Sequence, residues 1–184
     1  MRLIKQAVPG EVSTRELVLA RRRVLSLGAA TMCVPLLLLS GRAASAAALP
    51  RALSFLHTHT GESLSLVYAH GERYLVDALA RVNWFLRDFR NGESHPIDPQ
   101  LLDQLHAVRE LTGSRAPFEV ISGYRSAATN QALQRSGRGV ATHSLHLEGR
   151  AIDVRLADVA LSDLRDAAMS LQAGGVGFYA EPRF

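Results

Sequence analysis

Polar and apolar residues alternate from Arg51 to Val76, in "RALSFLHTHTGESLSLVYAHGERYLV". Leu64 to Tyr68 and the segment through Tyr74, either side of His70-Gly71, predict a β-hairpin. The period then lengthens. In "LVDALARVNWFLRDFRNG" the apolar residues Leu75, Leu79, Val82, Leu86 and Phe89 fall at helical spacing, and Asn91-Gly92 closes the run. A second helix follows, with Asp98 as N-cap, Pro99 in the first turn and Gly113 at the exit. Its apolar face is Leu101, Leu105, Val108 and Leu111. Phe118 to Ile121 reads as a core strand, "SAATNQALQRSG" as a short helix and "RGVATHSLHLEG" as a loop. "AIDVRL" is a second core strand, "LSDLRDAAMSLQAGG" a helix with Ser162 or Asp163 near its cap, and "GVGFY" a third strand. The pattern predicts an α+β fold, a small antiparallel sheet with flanking helices.

The first 46 residues follow a different rule. Arg21-Arg22-Arg23 precedes an apolar run from Val24 to Leu39, and Ala44-Ser45-Ala46 offers a small-residue cleavage site. That is the anatomy of an export signal, and two arginines before an apolar pair suit the twin-arginine route. The run is interrupted by Gly28 and Pro35 and is shorter than the ~20 residues that span a bilayer, so no stable anchor is expected after cleavage. The expected organisation is a signal over 1–46 and one domain over 47–184, delivered to the periplasm or another extracytoplasmic space.

Removing that signal changes the charge. The chain is +4 overall, but seven of its 21 basic residues and only two of its 17 acids lie in residues 1–46, leaving 14 against 15. The remainder gives no argument for nucleic-acid binding. The single cysteine, Cys33, also lies in the apolar run. The exported domain then has neither disulfide nor thiolate chemistry and depends on its packed core.

"SLHLEGRAIDV" holds the candidate chemistry. His146 ends a loop, and Asp153 sits between Ile152 and Val154 in an apolar strand. A carboxylate in that setting is costly to bury without a partner. A cation such as zinc, taking imidazole nitrogen and carboxylate oxygen, is one such partner. Gly149 permits the turn between the two, and Ala151 leaves room behind it. An ion pair of Asp153 with Arg150 or Arg155 is the alternative, with His146 an ordinary loop residue.

The pattern S-x-H-x-x-G-x-A-x-D, filled by Ser144, His146, Gly149, Ala151 and Asp153, resembles the signature of the LAS-type zinc peptidases of the M15 group. "SGYRS" upstream, "HTHTGESL", "VNWFLRDFRNGE" and "GGVGFY" resemble the DUF882 branch of that group, which contains murein endopeptidases. The resemblance covers roughly Leu53 to Tyr179. It implies Zn2+ as cofactor and peptidoglycan peptide stems as partner, cut at a peptide cross-link. It implies His146 and Asp153 as metal ligands. Arg125 is implied as the catalytic residue that stabilises the oxyanion or grips a substrate carboxylate, with Ser144 and His143 supporting the loop around the metal. In the family a second histidine near the C-terminus completes the zinc site, in a segment such as F-V-H-x-D after G-G-V-G-x-Y. Here the sequence reads "GGVGFYAEPRF", and the third ligand is expected beyond Phe184. The alternative is a relative that binds wall peptides without cutting them, or a truncated and inactive enzyme. His57, His59, His70, His95 and His106 are substitute ligands only if the fold gathers them, and His106 is expected to be solvated.

Overall fold

The computed structural model describes residues 2–4, 49–136 and 141–178, all within one compact unit. The rest of the expected export segment, and Tyr179, lie outside these residues.

Arg2–Ile4 forms a three-residue strand, β1. Pro50–His57 (β2) and Ser63–His70 (β3) pair antiparallel around a turn in which Gly61 takes a positive φ of 71°. Arg73–Tyr74 (β4) adds a short return. The predicted hairpin is therefore the minor half of a larger one. The chain then builds Val76–Phe85 (α1), Pro99–Thr112 (α2), Phe118–Ser122 (β5), Ala127–Arg135 (α3), Ala151–Leu156 (β6), Leu161–Ser170 (α4) and Gly175–Gly177 (β7).

The strands make one sheet of seven in the order β4-β3-β2-β5-β6-β1-β7. The α+β class stands. Every pairing is antiparallel except β2 with β5, where Phe55, Leu56 and His57 run parallel to Phe118, Glu119 and Val120. Two helices lie between those strands in the chain, and such a long crossover allows a strand to return in the same direction.

Alternation selects the covered face. Leu53 and Phe55 of β2, Phe118 and Val120 of β5, and Ile152, Val154 and Leu156 of β6 share a core with Val82, Leu101, Leu102, Leu105, Val108, Leu164 and Ala168 from the helices. Strand alternation sends Asp153 and Arg155 to the opposite face.

Helix α2 follows its local signals. Asp98 Oδ1 accepts from the Gln100 N–H at 3.0 Å, and Gly113 ends the helix in the left-handed region. Asp103 on this helix accepts from Arg51 Nη1 (2.5 Å), the Tyr68 hydroxyl (3.0 Å) and the Tyr74 hydroxyl (2.5 Å), tying β2, β3 and β4 to it. Leu111, expected on the apolar face, is exposed.

Helix α1 stops at Phe85, before the predicted Phe89. The carboxylate of Asp88 takes the Arg90 N–H, and its carbonyl takes the Gly92 N–H, so the chain turns away from the helix. Helix α4 has Ala160 at its N-cap, with no side-chain cap from Ser162 or Asp163. Among the described residues no helix is long and apolar enough to cross a membrane.

Candidate active site

Four consecutive residues after β5, Gly123 to Ser126, are each fastened by a hydrogen bond. The Gly123 carbonyl faces His146 Nδ1 at 2.7 Å, and the Tyr124 N–H donates to the Leu86 carbonyl at 2.8 Å. The Arg125 N–H donates to the His146 carbonyl at 3.1 Å, and the Ser126 N–H to Asp88 Oδ2 at 3.0 Å. A Cβ on Gly123 would stand 2.6 Å from the Leu86 carbonyl oxygen, so only glycine allows that approach. "SGYRS" is thus a clamp between the loop after α1 and the histidine of the second motif.

His146 lies on a 3-10 turn, Leu145–Glu148, that begins at Ser144 and closes at Gly149. Gly149 is required twice. Its φ is 64°, and a Cβ there would meet the Pro96 carbonyl oxygen at 2.2 Å. Its own carbonyl accepts from the Asp98 N–H at 3.0 Å, which docks the turn on the start of α2. The turn folds His146 back over β6, and His146 Nε2 comes to 3.4 Å from Asp153 Oδ2. The histidine is 1% exposed and the aspartate 7%.

The Gly123 carbonyl can only accept, so His146 Nδ1 carries a hydrogen, and Nε2 is the ring nitrogen turned toward the carboxylate. That Nε2 is buried and makes no hydrogen bond. An imidazole nitrogen and a carboxylate oxygen facing each other in a buried site are a donor set that a cation such as zinc accepts. Donors about 2.0–2.2 Å from one tetrahedral zinc ion stand about 3.3–3.6 Å apart, and the observed 3.4 Å falls in that range. A ring N–H held by a backbone carbonyl is also the usual support of a metal-ligating histidine. The pair therefore fits a metal. Among the described residues no third His, Cys, Asp or Glu joins it.

The neighbouring arginines engage other acids: Arg150 bonds Glu148 at 2.9 Å, and Arg155 bonds Glu119 across the strand pair. Ser144 is buried at the start of the 3-10 turn, whereas His143 is exposed. Arg125 is half-buried and joined to His146 through the backbone.

The remaining histidines are elsewhere. His57 is buried with its edge toward Phe85 and Phe89, and its Nδ1 accepts the His59 N–H. His59 stacks on Phe89, His70 is exposed, and His106 is half-buried against Tyr68 rather than solvated. His95 touches the clamp itself, stacked on Tyr124 with ring centres 4.9 Å apart. Tyr124 in turn donates to Glu93 at 3.0 Å; burial, with that bond, raises its phenol above the ordinary range.

Asp88 was not singled out by the sequence. It is fully buried. Burial alone would raise its carboxyl. Hydrogen bonds from the Thr129 side chain, from the N–H and hydroxyl of Ser126, and from the Arg90 N–H outweigh that and hold it below the ordinary range. The sequence signal was an aspartate between Leu86 and Phe89 that broke an otherwise helical stretch.

A protein-family profile described as "Peptidoglycan L,D-endopeptidase MepK" matches residues 45–184. The chain belongs to this family of M15-type peptidases. It is 41% identical over 164 residues to the peptidoglycan L,D-endopeptidase MepK of Escherichia coli K12, covering 89% of this chain and 90% of that one. It is 38% identical over 165 residues to the probable peptidoglycan L,D-endopeptidase MepK of Haemophilus influenzae, covering 89% of each. No solved structure matches the chain.

Proposed function

We propose that the chain is an exported, zinc-dependent peptidase that hydrolyses peptide cross-links of peptidoglycan, at an L,D bond as the names of its relatives indicate. The observation that carries the zinc part is the Nε2 lone pair of His146, buried without a hydrogen bond and 3.4 Å from the Asp153 carboxylate.

His146 and Asp153 would hold the ion, and zinc when bound polarises a scissile carbonyl and lowers the pKa of a water. The chain's own contribution is preparation. The Gly123 carbonyl fixes the His146 tautomer, and Gly149 fixes the ring against β6. The clamp holds Arg125 beside His146, where a guanidinium can meet either an oxyanion or a stem-peptide carboxylate. Export agrees with the substrate, which lies outside the cytoplasmic membrane. Nothing in the charge of residues 47–184 argues for nucleic acid.

One observation favours a second reading, binding of wall peptide without cleavage. Only two donors converge among the described residues, whereas catalytic zinc sites use three protein ligands. Elemental analysis of zinc per purified chain, with His146→Ala as control, separates the readings when combined with cleavage of a purified cross-linked stem peptide. Near one zinc, lost in the variant, with cleavage, supports the peptidase. Binding of the peptide with no zinc and no cleavage supports the second reading.

A further inference from the structure

We propose that Asp88, on the loop after α1, is a positioning residue for the candidate active site, acting through Ser126 to set Arg125. The proposal rests on the peptidase reading for what Arg125 does, but not for how Arg125 is held.

Arg125 is the middle of a short span held from two sides. On its own N–H it is tied to the His146 carbonyl, 3.1 Å away. One residue later the chain is tied to Asp88, whose Oδ2 receives both the Ser126 N–H at 3.0 Å and the Ser126 hydroxyl at 2.8 Å. The other carboxylate oxygen takes the Arg90 N–H at 3.1 Å. The loop that carries Asp88 is itself closed, with the Asp88 N–H on the Glu93 carbonyl at 2.8 Å and the Gly92 N–H on the Asp88 carbonyl at 2.7 Å.

Ser126 passes the constraint on. Because its hydroxyl hydrogen goes to Asp88, its oxygen lone pairs are turned to the Thr129 N–H at 3.2 Å, as N-cap of α3, and to Asn91 Nδ2 at 2.9 Å. An oxygen with one donated and two accepted bonds has no other orientation available. Asp88 therefore fixes the direction of the hydroxyl, the start of α3 and the peptide plane between Arg125 and Ser126 together. A carboxylate suits this task because one oxygen accepts two bonds from Ser126 while the other accepts the Arg90 N–H, and an amide has a single accepting oxygen and loses one side or the other. Charge-assisted bonds of this kind are also stronger than neutral ones.

The test uses the full chain and compares Asp88→Asn, Arg125→Ala, the double variant and Ser126→Ala. Amide hydrogen exchange reads the clamp directly, and kcat and KM on a cross-linked stem peptide read its consequence. Asp88→Asn should speed exchange at Arg125 and Ser126 by about tenfold or more, the equivalent of one weakened charged hydrogen bond, with β5 amides unchanged. It should lower kcat/KM by a similar factor in the parent chain and by nothing further on the Arg125→Ala background. Ser126→Ala keeps the carboxylate and its bond to the Ser126 N–H but removes the hydroxyl, which is also the N-cap of α3; it should show the same local pattern and keeps the test open if Asp88→Asn does not fold. Unchanged exchange at Arg125 and Ser126 overturns the proposal, as does a loss that multiplies fully in the double variant. A parent chain that fails to cleave the peptide counts against the peptidase reading, while exchange still decides whether Asp88 sets Arg125.

Discussion

His146 Nε2 and Asp153 Oδ2 face each other at 3.4 Å with no hydrogen bond to the imidazole nitrogen. The relationship follows from Nδ1, whose N–H donates to the Gly123 carbonyl. An arrangement that suits a metal gives a variant whose effect reverses with conditions. Asp153→Asn offers an N–H to Nε2. In metal-free protein it should stabilise the fold by about 1 kcal/mol, raising Tm by about 3 °C. In excess zinc the parent should gain stability by ligand linkage and the variant should gain none. Thermal unfolding with chelator and with zinc checks both. A metal-free Asp153→Asn protein clearly less stable than its parent would overturn the lone-pair account.

Gly149 and Gly61 share a positive φ but differ in surroundings. A Cβ on Gly61 meets nothing within 4 Å, whereas one on Gly149 meets the Pro96 carbonyl oxygen at 2.2 Å. Gly61→Ala should cost only the backbone term, about 1 kcal/mol. Gly149→Ala should cost about 3 kcal/mol or more and should also abolish zinc binding, because the turn it closes carries His146. Urea unfolding measures the first difference and zinc titration the second. Equal costs would show that the loop at Pro96 yields easily.

What could be read from the sequence was local. The caps of α2 are Asp98, Pro99 and Gly113, all within or beside the helix, and they were found. His146 and Asp153 are joined by a single glycine turn, so eight residues of sequence contain the geometry that brings them together. The misread features depend on distant partners. Phe89 continues the helical spacing, but Asp88 is engaged by Ser126, 38 residues away, and the helix ends. The parallel pairing of β2 with β5 and the stacking of His95 on Tyr124 likewise join segments that no periodicity connects.

His57 should make stability depend on pH. Burial, then the neighbouring His59, lowers its pKa, with Arg87 and Arg90 adding to the effect and Glu62 opposing it. The unfolded chain therefore binds this proton more readily than the folded one. The contribution is complete above the unfolded value of about 6.5 and is lost as pH falls from there toward the folded value. Metal-free parent protein should lose Tm between pH 7.5 and 5.5. His57→Phe, which places an apolar ring beside Phe85 and Phe89, should lose less. Parallel Tm curves for the two proteins would remove His57 as the cause.

The export reading can be tested by a substitution that conserves charge. Arg22 and Arg23 stand immediately before Val24 and Leu25. General secretory signals need positive charge in this region, and lysine supplies it as well as arginine. A receptor that reads the planar, bidentate guanidinium does not accept lysine in its place. Replacing both arginines with lysine leaves the charge of the segment unchanged, so the two routes give opposite outcomes. We expect the Arg22→Lys, Arg23→Lys chain to accumulate uncleaved in the cytoplasm, while the parent is recovered outside it with Ala47 as its first residue. N-terminal sequencing after cell fractionation reads both. Export of the double-lysine chain at the parent's level would assign the signal to the general route. A parent chain retained in the membrane with its first 46 residues attached would make the segment an anchor.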